Sequence, residues 1–310
     1  MSTENLGWLF YKKYYSETNF TEGSSDNEKK EIEKENKEKF TQLNTNILNR
    51  KYADQKSNFH LFHSPTVQPF EKLKIMYPGL LTGSGYTHET GLLGEFKMGF
   101  YFDHVTGLPV LPGHSVKGAL RASFPQYHKG SIKHQEEKTN HLINIIEGKN
   151  FGGNIEAKEL LTNYLKSINI TKELPAYSQK LFITILENNI FSGNVPDVEN
   201  GVWKKDGKGY LQFKPLGIYE RDIFMEAYPI SGDSKGFILA TDSITPHPEP
   251  LQNPNPILFL KIRSGVHLQF QFNCKDGIIS KEHKIQLFRH LLINTGVGAK
   301  TNVGYGQFEP

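Results

Sequence analysis

The chain has 310 residues, a net charge of +3, a single cysteine and 37% hydrophobic residues. That length can bury a sizeable core in one large domain or two small ones, and one cysteine excludes an internal disulfide framework or a cysteine-rich zinc site. No run approaches the twenty apolar residues of a membrane helix and no basic-then-apolar leader is present, so a cytoplasmic protein that meets no membrane is expected.

Asn5–Tyr15 (NLGWLFYKKYY) is aromatic and apolar, and should dock as a short first element. Residues 21–40 read as a charged tail or a solvated helix. Glu28–Lys39 holds five Glu and five Lys, with Glu33/Lys37 and Glu35/Lys39 at helical pairing distance. His60 and His63 stand three apart without further ligand spacing, which favours packing or surface histidines over a metal site. From Lys72 to Phe102 the pattern is strand, turn, strand (KLKIMY, GLLTGSGYTHETG, LLGEFKMGFYF), closed by the turn DHVTG. LPVLPGHSVKGALRASF then enters a helix, with Ser115 as N-cap and Val116, Ala119, Leu120, Ser123 and Phe124 on one face.

Residues 126–200 form a helical insertion of amphipathic segments (HLINIIEG, IEAKELLTNYLKSINI, SQKLFITILENNIF). Its apolar face, including Leu160, Leu161, Leu165, Phe182 and Leu186, should pack mostly on the chain's own sheet, with a minority left for a neighbouring subunit. Strands return in GYLQFKPL, DIFMEAYPI, GFILATDSI, PILFLKIRS and VHLQFQFN; Cys274, at the end of the last, reads as inert. GDSKG (Gly232–Gly236) matches G-x-S-x-G, but a strand follows it where a nucleophile elbow needs a helix, so it is a hairpin turn. TPHPEPLQNPNP (Thr245–Pro256), with five prolines, cannot pair in a sheet and must project as a loop. SKEHKIQLFRHLLINTG is a helix stopping at Gly296, before a turn and a final strand, VGYGQF. Strands split around a helical block, without β-α alternation, indicate an α+β fold with a helical insertion.

Two stretches are basic and free of acids. His104–Gln135 carries Lys117, Arg121, Lys129 and Lys133; His283–Phe308 carries Lys284, Arg289 and Lys300. Such segregation is the footprint of a polyanion partner. The glycine-rich GVGAKTNVGYGQF (Gly296–Phe308) fails as a Walker A loop, because Ala299 precedes Lys300, and as a dinucleotide fingerprint, because Thr301 takes the third glycine position. A flexible turn remains one reading. The other is a loop whose bare amides lie against a phosphate chain, with Lys300 adding charge. In PGHSVKGALR a helix N-terminus, Lys117 and Arg121 four apart, and Gly118 leaving room for close approach suit the same ligand.

TGLPVLPGHSVKGALR (Thr106–Arg121) resembles the T-G-x-P-x-[IL]-P-G signature of RAMP-superfamily CRISPR proteins, and GVGAKTNVGYGQF resembles their C-terminal glycine loop. EAYPI followed by LATDSITPHPEPLQNPNPILFLKI is similar to one branch, the sixth-subunit family of the Cmr (type III-B) effector complex. His114 replaces the commoner small residue of the first motif. The resemblance implies a ferredoxin-like (RRM-like) RAMP core with an antiparallel sheet, residues 1–310 forming one domain. It implies a non-catalytic subunit holding the guide (CRISPR) RNA near its 3′ portion, beside the repeating backbone subunit and other Cmr subunits, with complementary target RNA as a further partner. No cofactor or metal is implied. The RNA-binding residues would be His114, Ser115, Lys117, Gly118 and Arg121 in the first motif, and Gly298, Lys300, Thr301, Asn302, Gly304 and Tyr305 in the second. Thr245 and His247 would sit at the base of a loop reaching the guide–target duplex. Backbone contacts suit a guide whose sequence varies while phosphate and sugar stay constant.

Two alternatives stay open: a guide-processing endoribonuclease using His104, His114 or His247 as acid and base, and an adaptor touching only proteins. Against nuclease chemistry, Asp103 suits the start of the turn into Gly107, Glu95 a strand face, and Glu89 alone is a poor magnesium site, although the fold could bring in Asp242.

Overall fold

A computed structural model describes residues 4–21, 23–55, 67, 70–88, 90–127, 130–148, 156–170, 172, 175–244 and 256–310. The aromatic opening forms α1 (Leu6–Tyr11), which buries Leu6, Leu9 and Phe10. The charged run is a helix, α2 (Asp26–Leu48), begun by a reciprocal capping box between Ser25 and Glu28. Its polar faces are solvated, and Lys39 pairs with Glu35 at 3.0 Å. Asn36, Phe40, Asn44 and Ile47 recur at helical spacing and are buried. The Tyr14 hydroxyl donates to Asn44 at 2.8 Å while its ring stacks on Phe40, so this helix is tied to the aromatic core. A short α3 (Tyr52–Gln55) follows.

β1 (Leu73–Lys74) opens the central sheet. The strand expected through Leu92–Phe102 does not form; only Phe100 and Phe102 make isolated bridges, to Tyr86 and Pro109. Glu95 in its middle is buried and accepts from the Thr90 and Gly91 amides, each at 3.2 Å, which bends the chain back on itself instead of extending it. After α4 (Gly113–Ala122) come α5 (Ile132–Ile146), α6 (Ala157–Ser167) and α7 (Gln179–Glu187), with a π-helical turn at Asn188–Ser192. Leu161, Leu165, Phe182 and Leu186 are buried and Leu160 packs beside them, as the periodicity requires. The surface they meet is helical, however: α5 and α6 pack on α7, and α5 also reaches the C-terminal helix α8 (Lys281–Thr295). The short α7, with Phe182, Ile183, Ile185 and Leu186 all buried, supplies the apolar wall that the sheet was expected to provide.

Two small hairpin layers follow. β2 (Asn194–Pro196) pairs with β5 (Phe213–Pro215), and β3 (Val198–Glu199) with β4 (Val202–Trp203). β6 (Ile223–Phe224) and β7 (Tyr228–Pro229) run antiparallel to β11 (Phe272–Asn273) and β10 (His267–Gln269). β8 (Leu239–Ile244) and β9 (Ile257–Ile262) form a full hairpin from Leu239↔Ile262 to Ile244↔Ile257. β10 also pairs with β1, and isolated bridges add Phe308 beside Ile75 and Leu111 beside Ala227. The central sheet is therefore antiparallel, and its neighbours run Phe308, β1, β10, β7, Leu111. The final strand shrinks to that one bridge at Phe308, preceded by a 3-10 turn at Thr301–Val303. GDSKG is the expected tight turn: the Asp233 carboxylate accepts from the amides of Lys235 and Phe237, both at 2.9 Å. Cys274 is buried, which pushes its thiol up to about 12. No helix among the described residues is long and apolar enough to cross a membrane.

Candidate nucleic-acid interface

α4 is prepared by a turn. Asp103 accepts from the Val105 amide at 3.1 Å and the Thr106 amide at 2.7 Å, and the Gly107 N–H donates to the Asp103 carbonyl at 2.9 Å. Leu111 then pairs with Ala227, and Pro112 is the extended N-cap (ψ 143). Ser115 is thus not the cap; it lies inside the first turn, its amide donating to the Pro112 carbonyl at 2.9 Å. The helix starts two residues earlier than the serine because proline's fixed φ suits a helix entry and Gly113 alone fits beside β6. A Cβ on Gly113 would lie 2.1 Å from the Phe224 carbonyl.

Val116 and Leu120 point into the core, while His114 and Gly118 are exposed, with open space around Gly118. The Lys117 ammonium sits 5.7 Å over the Phe224 ring. Partial burial, then Arg121 and Arg221, push its pKa below the usual lysine value against the pull of Asp222. Arg121 is engaged by Glu187, Nε to Oε1 3.3 Å. Arg221, which no motif marks, joins this cationic group because the hairpins after the helical insertion deliver it there; it donates to the Leu216 carbonyl at 2.8 Å.

The C-terminal glycine loop is zipped onto residues 79–81. The Ala299 amide donates to Leu81 O at 2.8 Å, Gly306 N to Gly79 O at 2.8 Å, and Val297 N to Gly306 O at 3.0 Å. Gly298, Lys300, Gly304 and Gly306 all have positive φ. The amides of Val297, Ala299, Val303, Gly304, Tyr305 and Gly306 are therefore occupied inside the loop, whereas those of Gly298, Lys300, Thr301 and Asn302 have no acceptor among the described residues. What the loop presents is its tip: Lys300, Thr301 and the exposed Asn302. Among the described residues Lys300 has no ion pair. The other cations of this stretch are engaged, Arg289 with Glu71 at 2.8 Å and the buried Lys284 with Asp222 at 2.7 Å.

Tyr305 anchors the loop to the β8–β9 hairpin. Its hydroxyl donates to Asp242 at 2.8 Å, and burial together with that carboxylate pushes it up to about 12. Lys261 also reaches Asp242, at 2.5 Å, and lies 5.6 Å over the Tyr305 ring. Burial alone would raise the Asp242 pKa; the hydrogen bonds from Lys261, Tyr305 and the Ser243 amide outweigh it and hold the carboxyl low. Thr245 and His247, and with them the proline-rich loop, lie outside the described residues, as do Glu89, His60 and His63. The hairpin that carries the loop is nonetheless the element to which Tyr305 is tied.

The structure joins the glycine loop to the hairpin base and sets α4 apart from both. α4 abuts Phe224, which pairs with Phe272; the glycine loop adjoins Ile75, whose amide donates to Val266. Six residues along one strand direction is roughly 20 Å. The carboxylates weighed above have other work: Glu95 accepts from the hydroxyls of Tyr15 and Thr90, Asp103 forms its turn, and Asp242 holds Tyr305. Among the described residues no group of three or more His, Cys, Asp or Glu could hold a metal ion.

The RAMP superfamily model matches residues 72–309, so the chain belongs to the RAMP superfamily. Its fold is similar to a chain of the type III-B Cmr-beta bound to cognate target RNA, seen by cryo-EM. The alignment covers 97% of this chain and 84% of that one, with 18% identity and a TM-score of 0.50. Cmr6 from Pyrococcus furiosus, a crystal structure, aligns over 79% of this chain and 98% of its own at 18% identity and a TM-score of 0.36. No curated protein matches the chain.

Proposed function

We propose that this chain is a non-catalytic RNA-binding subunit of a type III-B CRISPR effector complex, holding the guide RNA near its 3′ portion beside the repeating backbone subunit, in the cytoplasm. The observation that carries this reading is Lys300: a RAMP-superfamily chain presents, at the tip of a rigid glycine loop, a cation that no described carboxylate neutralises. A cation held ready without a partner suits a phosphate that any guide sequence supplies. The neighbour order Phe308, β1, β10, β7 supports reading the core as ferredoxin-like. Target RNA would meet the loop carried on β8 and β9. The engagement of Glu95, Asp103 and Asp242 within the fold supports a subunit that does not itself cut RNA.

The test is the salt dependence of RNA binding by the assembled complex. Lys300→Ala and Lys117→Ala should each lower the log–log salt slope by about 0.7, irrespective of guide sequence. Unchanged slopes in both would remove the reading. Glu95→Ala, Asp103→Ala and Asp242→Ala should leave cutting of a complementary target intact; loss of one cut with normal guide binding would reveal a catalytic site.

A further inference from the structure

A second feature faces solvent on the central sheet, away from both family motifs. A cleft of about 840 Å³ is lined by Lys74 of β1 and Lys72 just before it, His267 of β10, Ser231, and the pair Met76–Tyr77. That volume falls within the 300–1,000 Å³ range of small-molecule sites. Register explains the cluster: Lys74 pairs with His267 across β1 and β10, and the Ile230 amide donates to the His267 carbonyl, which brings Ser231 alongside.

The polar groups converge. Ser231 Oγ lies 3.0 Å from His267 Nδ1 and also accepts from the His267 amide at 3.3 Å. The imidazole is thereby fixed at one edge, and Nε2 is left without a partner among the described residues. Lys74 is balanced by Glu309 at 2.9 Å, and Asp233 in the cleft wall faces Arg263 at 3.4 Å. Lys72 is exposed and has no ion pair among the described residues, so it is the uncompensated charge. Burial, then Lys72 and Lys74, hold His267 below the usual imidazole value against Glu309, which favours the neutral ring. At the rim Tyr77 is 85% exposed and Met76 43% exposed, a large ring with nothing described covering it.

The cleft also adjoins the glycine loop. The Met76 amide donates to the Gln307 carbonyl at 2.9 Å, and the space above Gly304 ends at Pro78 Cδ, next to Tyr77. A lysine, an imidazole N and an exposed aromatic ring in one groove are the parts of a single-strand nucleotide site, in which the phosphate meets the lysine and the ring nitrogen and the base stacks.

We propose that this cleft holds one nucleotide of a single-stranded RNA, with Lys72 and His267 on the phosphate and Tyr77 under the base. The proposal rests on the RNA-binding reading of the chain, and extends the path from Lys300 across the open sheet.

The experiment uses the full chain in its assembled complex, with mixed-sequence RNA carrying 4-thiouridine, labelled in turn on the guide and on the target strand. Crosslinks should map to the Tyr77 peptide, and the labelled strand that gives them identifies the occupant. Lys72→Ala should lower the salt slope by about 0.7. Tyr77→Leu should weaken RNA binding roughly tenfold, the scale of one stacked base, while Tyr77→Phe keeps it. Both side chains are exposed, so unchanged thermal midpoints would confirm that the variants fold. Crosslinks confined to the Lys117 and Lys300 peptides, with Lys72 and Tyr77 variants unaffected, would overturn the cleft and leave the RNA reading standing. Unchanged slopes in Lys300→Ala and Lys117→Ala as well, with no crosslinks to either peptide, would overturn both. Protection of Tyr77 by a neighbouring subunit in the absence of RNA would make the cleft a protein contact and equally overturn the proposal.

Discussion

α4 and the C-terminal loop are built from the same residue types, glycine and cations, and use them in opposite ways. In α4 the cations are engaged, Lys117 over Phe224 and Arg121 with Glu187, while Gly118 stands in open space. In the loop Gly298 and Gly306 are the fixed parts, wedged against backbone at Leu81 and Val297, and the cation at the tip has no ion pair among the described residues. A glycine in a motif is therefore diagnosed by what a Cβ would meet, and a cation by what already neutralises it. Shared composition does not imply a shared role.

The sharpest break in the comparison involves Lys284, a cation in the same acid-free stretch as Lys300 that belongs wholly to the interior. Its ammonium lies 2.7 Å from Asp222 and 3.1 Å from Asn189, with side chains of Lys284 and Asp222 exposed by only 1% and 2%. Lys284→Met strands a buried carboxylate, and the expected cost is about 3–5 kcal/mol in denaturant unfolding. Adding Asp222→Asn should recover part of it. The RNA salt slope of the folded fraction should not change; a drop as large as that of Lys300→Ala would place Lys284 on the RNA path after all.

Next in size is the loop's rigidity. A Cβ on Gly306 (φ +67) would lie 1.9 Å from the Val297 carbonyl, whereas on Gly304 (φ +97) it would meet only Pro78 Cδ at 3.6 Å. Gly306→Ala should lower stability by about 3 kcal/mol and Gly304→Ala by about 1 kcal/mol, the latter from backbone strain alone. Equal shifts in thermal midpoint would mean that the loop is held less tightly than its hydrogen bonds indicate.

Helical periodicity carried much of this architecture on the sequence itself. The insertion helices, the terminal helix stopping at Gly296 and the β8–β9 hairpin are legible because 3.6-residue and strand-like apolar runs are local signals. The stretch Leu92–Phe102 misled because Glu95 in its middle is buried and bound by the Thr90 and Gly91 amides, a tertiary arrangement with no period. Ser115 misled because cap preference counts side chains, while here Pro112 and the tight seat of Gly113 set the start of the helix. Lys284 did leave a mark: it shares the apolar stripe of Leu287, Phe288, Leu291 and Leu292, where a lysine needs a buried partner. That partner, Asp222, lies 62 residues away and could not be named without the fold. The cleft under Tyr77 was equally hidden, since Lys72, Ser231 and His267 meet only through sheet register.

A smaller effect tests α4 directly. Gly118 is an exposed glycine inside a helix with no atom within 4 Å of an added Cβ. Gly118→Ala should therefore stabilise the chain by roughly 0.5–1 kcal/mol. If RNA backbone passes close to this helix, the same methyl should weaken RNA binding while stability rises, a combination that a purely structural role cannot produce. Stabilisation with unchanged binding would leave α4 as a scaffold and confine the phosphate contacts to the loop.

The smallest expected effect separates the two regions by acid. Asp242 has a depressed pKa in the folded chain, because hydrogen bonds from Lys261, Tyr305 and the Ser243 amide outweigh the effect of burial. The unfolded chain thus takes up the Asp242 proton at higher pH than the folded chain does. The stability from this carboxylate is fully present above the ordinary value of 3.8, and is lost as pH falls through the lower folded value. Asp242→Asn removes the charge at every pH, so the midpoint gap between the unaltered chain and the variant should be open at pH 6 and close as pH drops below about 4. The gap is modest, because Asp242 is about one-third exposed and solvent screens its pair with Lys261. Gly118→Ala supplies the control: no carboxylate among the described residues lies within 4 Å of a Cβ there, so its offset from the unaltered chain should stay constant over the same range. If that offset moved with pH in parallel with the Asp242 gap, the acid-sensitive contact would serve the whole fold, and the loop would have no anchor of its own.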